Sequence, residues 1–240
     1  MAELVSERTR QARALFAPLG PTYDRCARLL SLGQDPRWRR FLVGRIEAGP
    51  RDTVLDVATG TGAVALELVA RKGCSVVGVD QSPEMLSEAG RRIRAAGAES
   101  RARLVEARAE SLPFEDKAFS ALTVTYLLRY VDDPGKTLGE LARVTRRGGT
   151  IASLEFGIPG RRGTRALWNL YAGSVLPLLG RAIGPDWAEV GHFLHGSIRE
   201  FYARLPLRGQ LELWREAGVG DVRVRRLSLG GGIVIWGRRR

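Results

Sequence analysis

Apolar positions along this chain follow two rhythms. Between about residues 50 and 157, short aliphatic runs alternate with segments whose apolar residues recur three and four apart. The runs Val54–Val57, Ser75–Asp80, Ala102–Val105, Phe119–Thr125 and Ile151–Phe156 read as strands. Helices are expected over 62–71, after Ser82-Pro83 and after Asp133-Pro134, where an oxygen-bearing cap precedes proline at the first helical position. In the second of these Leu86, Ala89, Ile93 and Ala96 keep helical register; in the third Leu138, Leu141, Ala142 and Val144 do. Arg146-Arg147-Gly148-Gly149 predicts the end of that third helix, with basic residues and then glycine. Continuous rather than alternating apolar strands are covered on both faces, so this part of the chain predicts an α/β fold with a doubly wound, mostly parallel sheet. A last helix over Leu211–Gly218 and two strands, Val222–Arg225 and Ile233–Trp236, complete a seven-stranded sheet; their adjacency in sequence favours antiparallel pairing.

The flanks are helical. Residues 1–48 form a helical segment broken at Pro18, Gly20 and Pro21, with Phe16, Leu19, Tyr23, Leu29, Leu30 and Leu32 free to cover another surface. Ser31-Leu32-Gly33 ends one helix and Asp35-Pro36 begins the next, which carries Trp38, Phe41, Leu42 and Ile46 on one face. Residues 158–206 interrupt the strand–helix order with apolar helical stretches around Leu167–Tyr171 and Val175–Leu179, and read as an inserted helical cap. One domain over 1–240 is therefore expected: an N-terminal helical segment (1–48), a core (50–157), the cap (158–206), and a final helix with antiparallel strands (207–240).

Composition narrows the classes. Cys26 and Cys74 form neither a disulfide framework nor a metal spacing, which suits a reducing compartment. The N-terminus shows no apolar leader, and Val175–Leu179 is far too short to span a bilayer, so a cytoplasmic protein is expected. The net charge is +12, carried almost wholly by arginines spread along the chain. Solvated faces are the plain account; contact with a membrane surface ranks second. No basic run is interleaved with aromatics in a nucleic-acid motif, so no nucleic-acid partner is expected. His192-x-x-His195 alone does not specify a metal site, and no metal is expected.

The chemistry gathers at Thr53–Gly62. A strand reaches Asp56, breaks at Ala58-Thr59-Gly60-Thr61-Gly62 and continues as a helix. Asp80, twenty residues after Gly60, ends the second strand, where a carboxylate can accept two ribose hydroxyls. Gly60-x-Gly62-x-x-Ala65 satisfies the dinucleotide fingerprint. Asp56 argues otherwise: ahead of the glycines it would repel a pyrophosphate and suit a cationic ligand, such as the sulfonium and ammonium of S-adenosylmethionine. Asp56 can equally accept hydrogen bonds from the turn.

Four stretches decide between these cofactors: Leu55–Gly62, Val79-Asp80-Gln81-Ser82-Pro83-Glu84-Met85-Leu86, Ala109–Phe114 and Arg147-Gly148-Gly149. They resemble class I S-adenosylmethionine-dependent methyltransferases, which have a Rossmann-like fold. More narrowly, Tyr23-Asp24, Leu29–Gly33, Trp38-Arg39-Arg40, Leu128-Arg129, Leu154-Glu155-Phe156, Val175–Gly180, Ser197-Ile198 and Gly231–Val234 resemble the menaquinone/ubiquinone C-methyltransferase family, over roughly residues 15–238. The resemblance implies S-adenosyl-L-methionine as cofactor, with Thr61 and the turn around Gly60 at its methionine part, Asp80 at the ribose, Gln81 also among the cofactor-binding residues, Arg108 and Ala109 beside the adenine, and Thr125 lining the site. The chain departs from the family pattern at Arg108, where Asn or Asp is usual, at Leu127 (usually Gly), Tyr130 (Asn) and Ala27 (Asn), and in a missing terminal histidine near Trp236.

The implied reaction is C-methylation of a prenylated hydroquinone, such as demethylmenaquinone or a ubiquinone precursor. A ring hydroxyl, with a pKa near ~10, must lose its proton to make the ring carbon nucleophilic. Arg129, directly after the fourth strand, can stabilise the phenolate; His192, His195 and Glu155 are the candidate bases. Tyr23, Tyr126, Tyr130, Trp168 and Tyr171 are the candidate substrate-binding residues. Two further readings stay open: a paralogue acting on another aromatic or lipid-like molecule, and a non-catalytic cofactor-binding partner.

Overall fold

The computed structural model describes residues 22–240, apart from the side chains of Arg25, Cys26, Leu29, Leu30, Pro185, Asp186, Ala188 and His192. The expectations for Phe16, Pro18, Leu19, Gly20 and Pro21, and for the side chains of Cys26, Leu29, Leu30 and His192, lie outside the described residues.

Two helices, α1 (Tyr23–Leu30) and α2 (Asp35–Arg45), lead into the core. There β1 (Thr53–Val57), α3 (Ala63–Lys72), β2 (Ser75–Asp80), α4 (Pro83–Ala95), β3 (Ala102–Glu106), β4 (Phe119–Thr125), α5 (Pro134–Val144) and β5 (Thr145–Phe156) alternate. The cap follows: α6 (Arg162–Leu170), a π-helical turn (Tyr171–Val175), α7 (Leu176–Ile183) and α8 (Pro185–Arg204). The chain closes with α9 (Leu207–Glu216), β6 (Val219–Leu227) and β7 (Gly232–Arg239). Among the described residues, seven strands form one sheet in the order β3-β2-β1-β4-β5-β7-β6. The pairs from β3 to β5 are parallel; β7 runs antiparallel to both β5 and β6. This is the Rossmann-like, doubly wound sheet expected of the alternating pattern.

Strand alternation builds the two faces. Val54, Val76, Ala121 and Ala152 pack with Trp38, Leu42 and Val43 of α2, with Ile46 just after it, and with Val64, Ala65 and Leu68 of α3. Their neighbours Leu55, Val57, Val77, Leu122, Val124 and Ile151 point the other way, against Leu138 and Leu141 of α5, Phe201 of α8 and Trp214 of α9. Each fully buried Leu, Val or Ile on either face contributes roughly 1.5–3 kcal/mol of transfer free energy.

Two helix caps form as the sequence demands. Ser82 Oγ accepts from the Met85 amide at 3.2 Å, and Asp133 Oδ1 from the Lys136 amide at 2.9 Å. Two expectations are corrected. Met85, Ala89 and Ile93 are the buried positions of α4, while Leu86 is half-buried and Ala96 exposed: the inward stripe starts one residue earlier. Arg146–Gly149 does not end a helix. α5 stops at Val144 and these residues open β5, where the register with β4 shifts between Phe119 and Ala121. Gly149 is there for space, since a Cβ would sit 2.5 Å from the Ser120 carbonyl oxygen.

Candidate functional site

Strand order reverses between β1 and β4, so the carboxyl ends of these two strands splay around a crevice. Both strands end on a residue with left-handed backbone that is not glycine: Ala58 (φ 54°) after β1 and Tyr126 (φ 55°) after β4. Such conformations cost about 1–3 kcal/mol and persist where the surroundings over-determine them, a common property of binding sites. A cavity of about 340 Å³ opens here, with Ala58, Thr59, Gly60, Thr61, Asp80 and Gln81 on its polar side and Thr125, Tyr126, Arg129 and Tyr130 along the end of β4. Tyr23, Trp168, Tyr171, Leu176 and His195 close it from α1 and the cap.

The polar side is held by the first two strand ends. Asp80 Oδ2 accepts from the Gly60 amide at 2.8 Å and Oδ1 from the Ser82 amide at 3.1 Å. Burial pushes this carboxyl up, against the opposing pull of those amides. Gly60 has φ 54°, and a Cβ there would meet nothing within 4 Å: the turn presents bare backbone to the cavity. Ala109 borders a smaller void of about 50 Å³ that also touches Ala58, Asp80, Gln81 and Tyr130. A nucleoside fits this arrangement, with a carboxylate for ribose hydroxyls and a slot beside it. Thr61 Oγ1 donates to Asp24 Oδ2 at 2.5 Å, and Arg92 contacts both, tying α1 to the turn.

Four candidates sit elsewhere than the sequence suggests. Asp56 does not line the cavity. It is wholly buried behind the turn, its oxygens taken at 2.7 Å by the Thr59 and Thr123 hydroxyls, and burial pushes its carboxyl up to about 6. Of its two possible roles, bonding to the turn is the one observed, through hydroxyls rather than amides. Glu155 also lies outside the cavity, beside a separate small void. Its Oε1 accepts from the Phe156 amide at 2.9 Å and stands 3.6 Å from Arg129 Nη1. Burial raises its carboxyl despite that neighbour. Arg108 lines neither space; its Nε is 3.6 Å from Glu110 Oε2. Gly62 starts α3 with φ 78° behind the cavity wall, against Ala89.

The substrate side is arranged about a stack of rings. Tyr126 lies on Phe156 with centroids 4.5 Å apart and planes at 16°. Its hydroxyl donates to Asp35 Oδ1 at 2.7 Å, and Asp35 Oδ2 accepts from Arg39 Nε at 2.8 Å. Arg129 stands 5.4 Å from the Phe156 ring centroid, and its Nη2 donates to the Tyr130 hydroxyl at 2.7 Å. Arg129 is only 3 % exposed, and its Nε and Nη1 have no hydrogen-bond partner among the described residues. Burial works to lower its pKa, but Glu155 together with Tyr130, Tyr23 and Tyr202 outweighs this, and it stays charged. A buried cation with undonated N–H groups at a cavity wall is suited to an oxyanion. His195 borders the cavity 5.4 Å from the Trp168 ring, with Nε2 buried and unpartnered among the described residues. Burial and Arg199 lower its pKa, so the imidazole is neutral at pH 7 and one ring nitrogen can accept a proton.

Asp35 and Arg39 also border the cavity and were not singled out from sequence as site residues. The available signal was an acid and an arginine four apart on the same helix as the core residues Trp38 and Leu42. Among the described residues, no group of three or more His, Cys, Asp or Glu side chains is arranged to hold a metal ion.

Comparison with known proteins agrees with this geometry. The model of the ubiE/COQ5 methyltransferase family matches residues 3–238. The ubiquinone/menaquinone biosynthesis C-methyltransferase UbiE of a Geobacter strain is 39 % identical over 231 residues, covering 95 % of each chain. The demethylmenaquinone methyltransferase of Thermus thermophilus is 40 % identical over 199 residues, 82 % of this chain and 89 % of that one. Among solved structures, a putative S-adenosylmethionine-dependent methyltransferase of Methanococcus maripaludis superposes with a TM-score of 0.62 at 18 % identity, covering 100 % and 98 % of the two chains; this likeness concerns the fold.

Proposed function

This chain belongs to the ubiE/COQ5 methyltransferase family, and from that premise we propose that it transfers a methyl group from S-adenosylmethionine to a ring carbon of a prenylated hydroquinone. The observation that carries the proposal is one cavity with two chemistries: the Gly60–Asp80 side suits a nucleoside, and the Tyr126–Arg129 side suits a flat phenol. Residues 1–240 act as a single methyltransferase domain, with 50–157 holding the cofactor and 158–206 covering the acceptor. The acceptor is a small molecule, and peripheral contact with a membrane surface belongs to the same reading.

Asp80, Gln81, Gly60, Thr61, Thr125 and Ala109 hold the cofactor, which supplies an electrophilic methyl on a sulfonium. The protein must supply a nucleophilic ring carbon. Arg129 does this electrostatically: Nε and Nη1 donate to the ring oxygen and favour its ionised form, while Tyr130 and Glu155 fix the guanidinium. A guanidinium stays protonated and cannot take the phenol proton itself. His195 fits the base, being neutral and adjacent to the cavity. Glu155 acts through Arg129 rather than on the substrate. Tyr23, Trp168 and Tyr171, with Leu176, exclude water while charge is neutralised between phenolate and sulfonium.

Leu127 and Tyr130, two departures from the family pattern, border the cavity, which favours as second reading an aromatic acceptor of different substitution. Mass spectrometry of lipid quinones from cells lacking the protein separates the two. Accumulation of a quinone lighter by one methyl supports the proposal, and an unchanged quinone pool rejects it.

A further inference from the structure

Two leucines at the mouth of the cavity are displayed to solvent on strained backbone. Leu32, which borders the cavity, is 65 % exposed with φ 52°. Leu229, next to the cavity residue Ser228, is 77 % exposed with φ 60°. Their turns are joined: Ser228 Oγ donates to Gln34 Oε1 at 2.9 Å, and Trp38 Nε1 donates to Ser228 Oγ at 2.9 Å. Left-handed backbone is the conformation in which glycine is cheapest, and solvent is where leucine is least favoured. Both turns therefore incur a double cost in water.

The lip continues into the cap. The Gly230 backbone lies against Pro159, whose carbonyl accepts from Arg165 Nε at 3.0 Å, and Arg226 reaches Gly160. From there α6 presents Leu167 and Leu170, 63 % and 59 % exposed, while Trp168 of the same helix faces the cavity. Positive charge lies beside this rim. Residues 157–184 contain Arg161, Arg162, Arg165 and Arg181 and no acid, and Arg223, Arg225 and Arg226 lie on the half of β6 that leads to the Ser228 turn.

We propose that this lip is a membrane-docking surface. Leu32, Leu229, Leu167 and Leu170 enter the interfacial layer of an anionic bilayer, the arginines of 161–165 and 222–226 meet its headgroups, and the cavity mouth faces the lipid. Apolar tips flanked by cations at an interface are stabilised by both terms together. The proposal rests on the lipid-soluble acceptor for its purpose, but its test does not use that acceptor.

The test is flotation of the full chain with quinone-free vesicles, of phosphatidylcholine alone or with about one third phosphatidylglycerol. The chain is expected to float with the anionic vesicles and to be released by salt. The decisive variant is Leu32→Gly with Leu229→Gly, which removes both apolar tips and relaxes both strained residues. Its vesicle partitioning is expected to fall about tenfold or more, with a melting temperature equal to or above that of the parent. Absence of flotation with either vesicle, or equal flotation of the variant, overturns the proposal. So does loss of a dimer in the variant with flotation unchanged, which would make the lip a contact between copies. Flotation without methyl transfer to any quinone would reject the proposed acceptor and leave the docking surface standing.

Discussion

The proposed chemistry turns on Arg129. Its buried Nε and Nη1 carry hydrogens that nothing described in the protein accepts, and leaving such groups unpaired costs on the order of 1–3 kcal/mol or more. In the proposed reaction the phenolate oxygen recovers that cost. Arg129→Ala is expected to lower kcat by about 100- to 1,000-fold and to leave S-adenosylhomocysteine affinity, measured by calorimetry, unchanged; Arg129→Lys restores little, because one ammonium cannot replace the planar fork. Unchanged turnover in the alanine variant would remove the phenolate role. Asp80→Ala is expected to act in the opposite sense, weakening S-adenosylhomocysteine by about ten- to a hundredfold. Asp56 gives a pH signature. Its folded pKa of about 6 lies above the ordinary carboxyl value, so the stability it allows while protonated is lost as pH rises from about 4 through about 6. Asp56→Asn cannot ionise. At pH 8 it is expected to melt higher than the parent, by about 1–3 kcal/mol of stability, and the gap should close at pH 4. A gap independent of pH would mean that the carboxylate is not strained by its burial.

At the scale of elements, strands and caps were legible because their rules are local. Ser82-Pro83 and Asp133-Pro134 cap helices whatever lies around them, and β-branched runs form buried strands. Elements were misread where a residue answers to a distant neighbour. Gly148-Gly149 looks like a helix stop because glycine ends helices. Here Gly149 lets β5 approach the Ser120 carbonyl, a constraint visible only once β4 and β5 are paired. Gly232 is a second such case: a Cβ on β7 would lie 2.8 Å from the Trp38 ring of α2. Gly232→Ala should therefore cost about 1–3 kcal/mol in a denaturant titration. Pairing it with Trp38→Leu should recover part of that loss, and strict additivity of the two would deny the contact.

The site divides along the same line at the scale of the molecule. Gly60, Thr61 and Asp80 could be read from the sequence because a strand–turn–helix and the following strand end carry their own geometry. The chain's resemblance to quinone methyltransferases also pointed to Arg129. The Asp35–Arg39–Tyr126–Phe156 arrangement could not be read, since it joins α2, the end of β4 and the end of β5 only in the folded chain. Asp56 and Glu155 were placed at the site for the same reason in reverse: strand ends near a crevice can turn their side chains to its back. Among the described residues no helix is long and apolar enough to cross a membrane, and Trp168, Tyr171 and Leu176 of the cap segment line the cavity. All of this converges on one reaction. The purified chain, supplied with reduced demethylmenaquinone in detergent and S-adenosylmethionine bearing a trideuterated methyl, is expected to yield a quinone whose ring, by fragmentation in the mass spectrometer, carries the intact labelled methyl on carbon. A ring that remains unlabelled while S-adenosylhomocysteine still binds, or a label found on oxygen, would contradict the account.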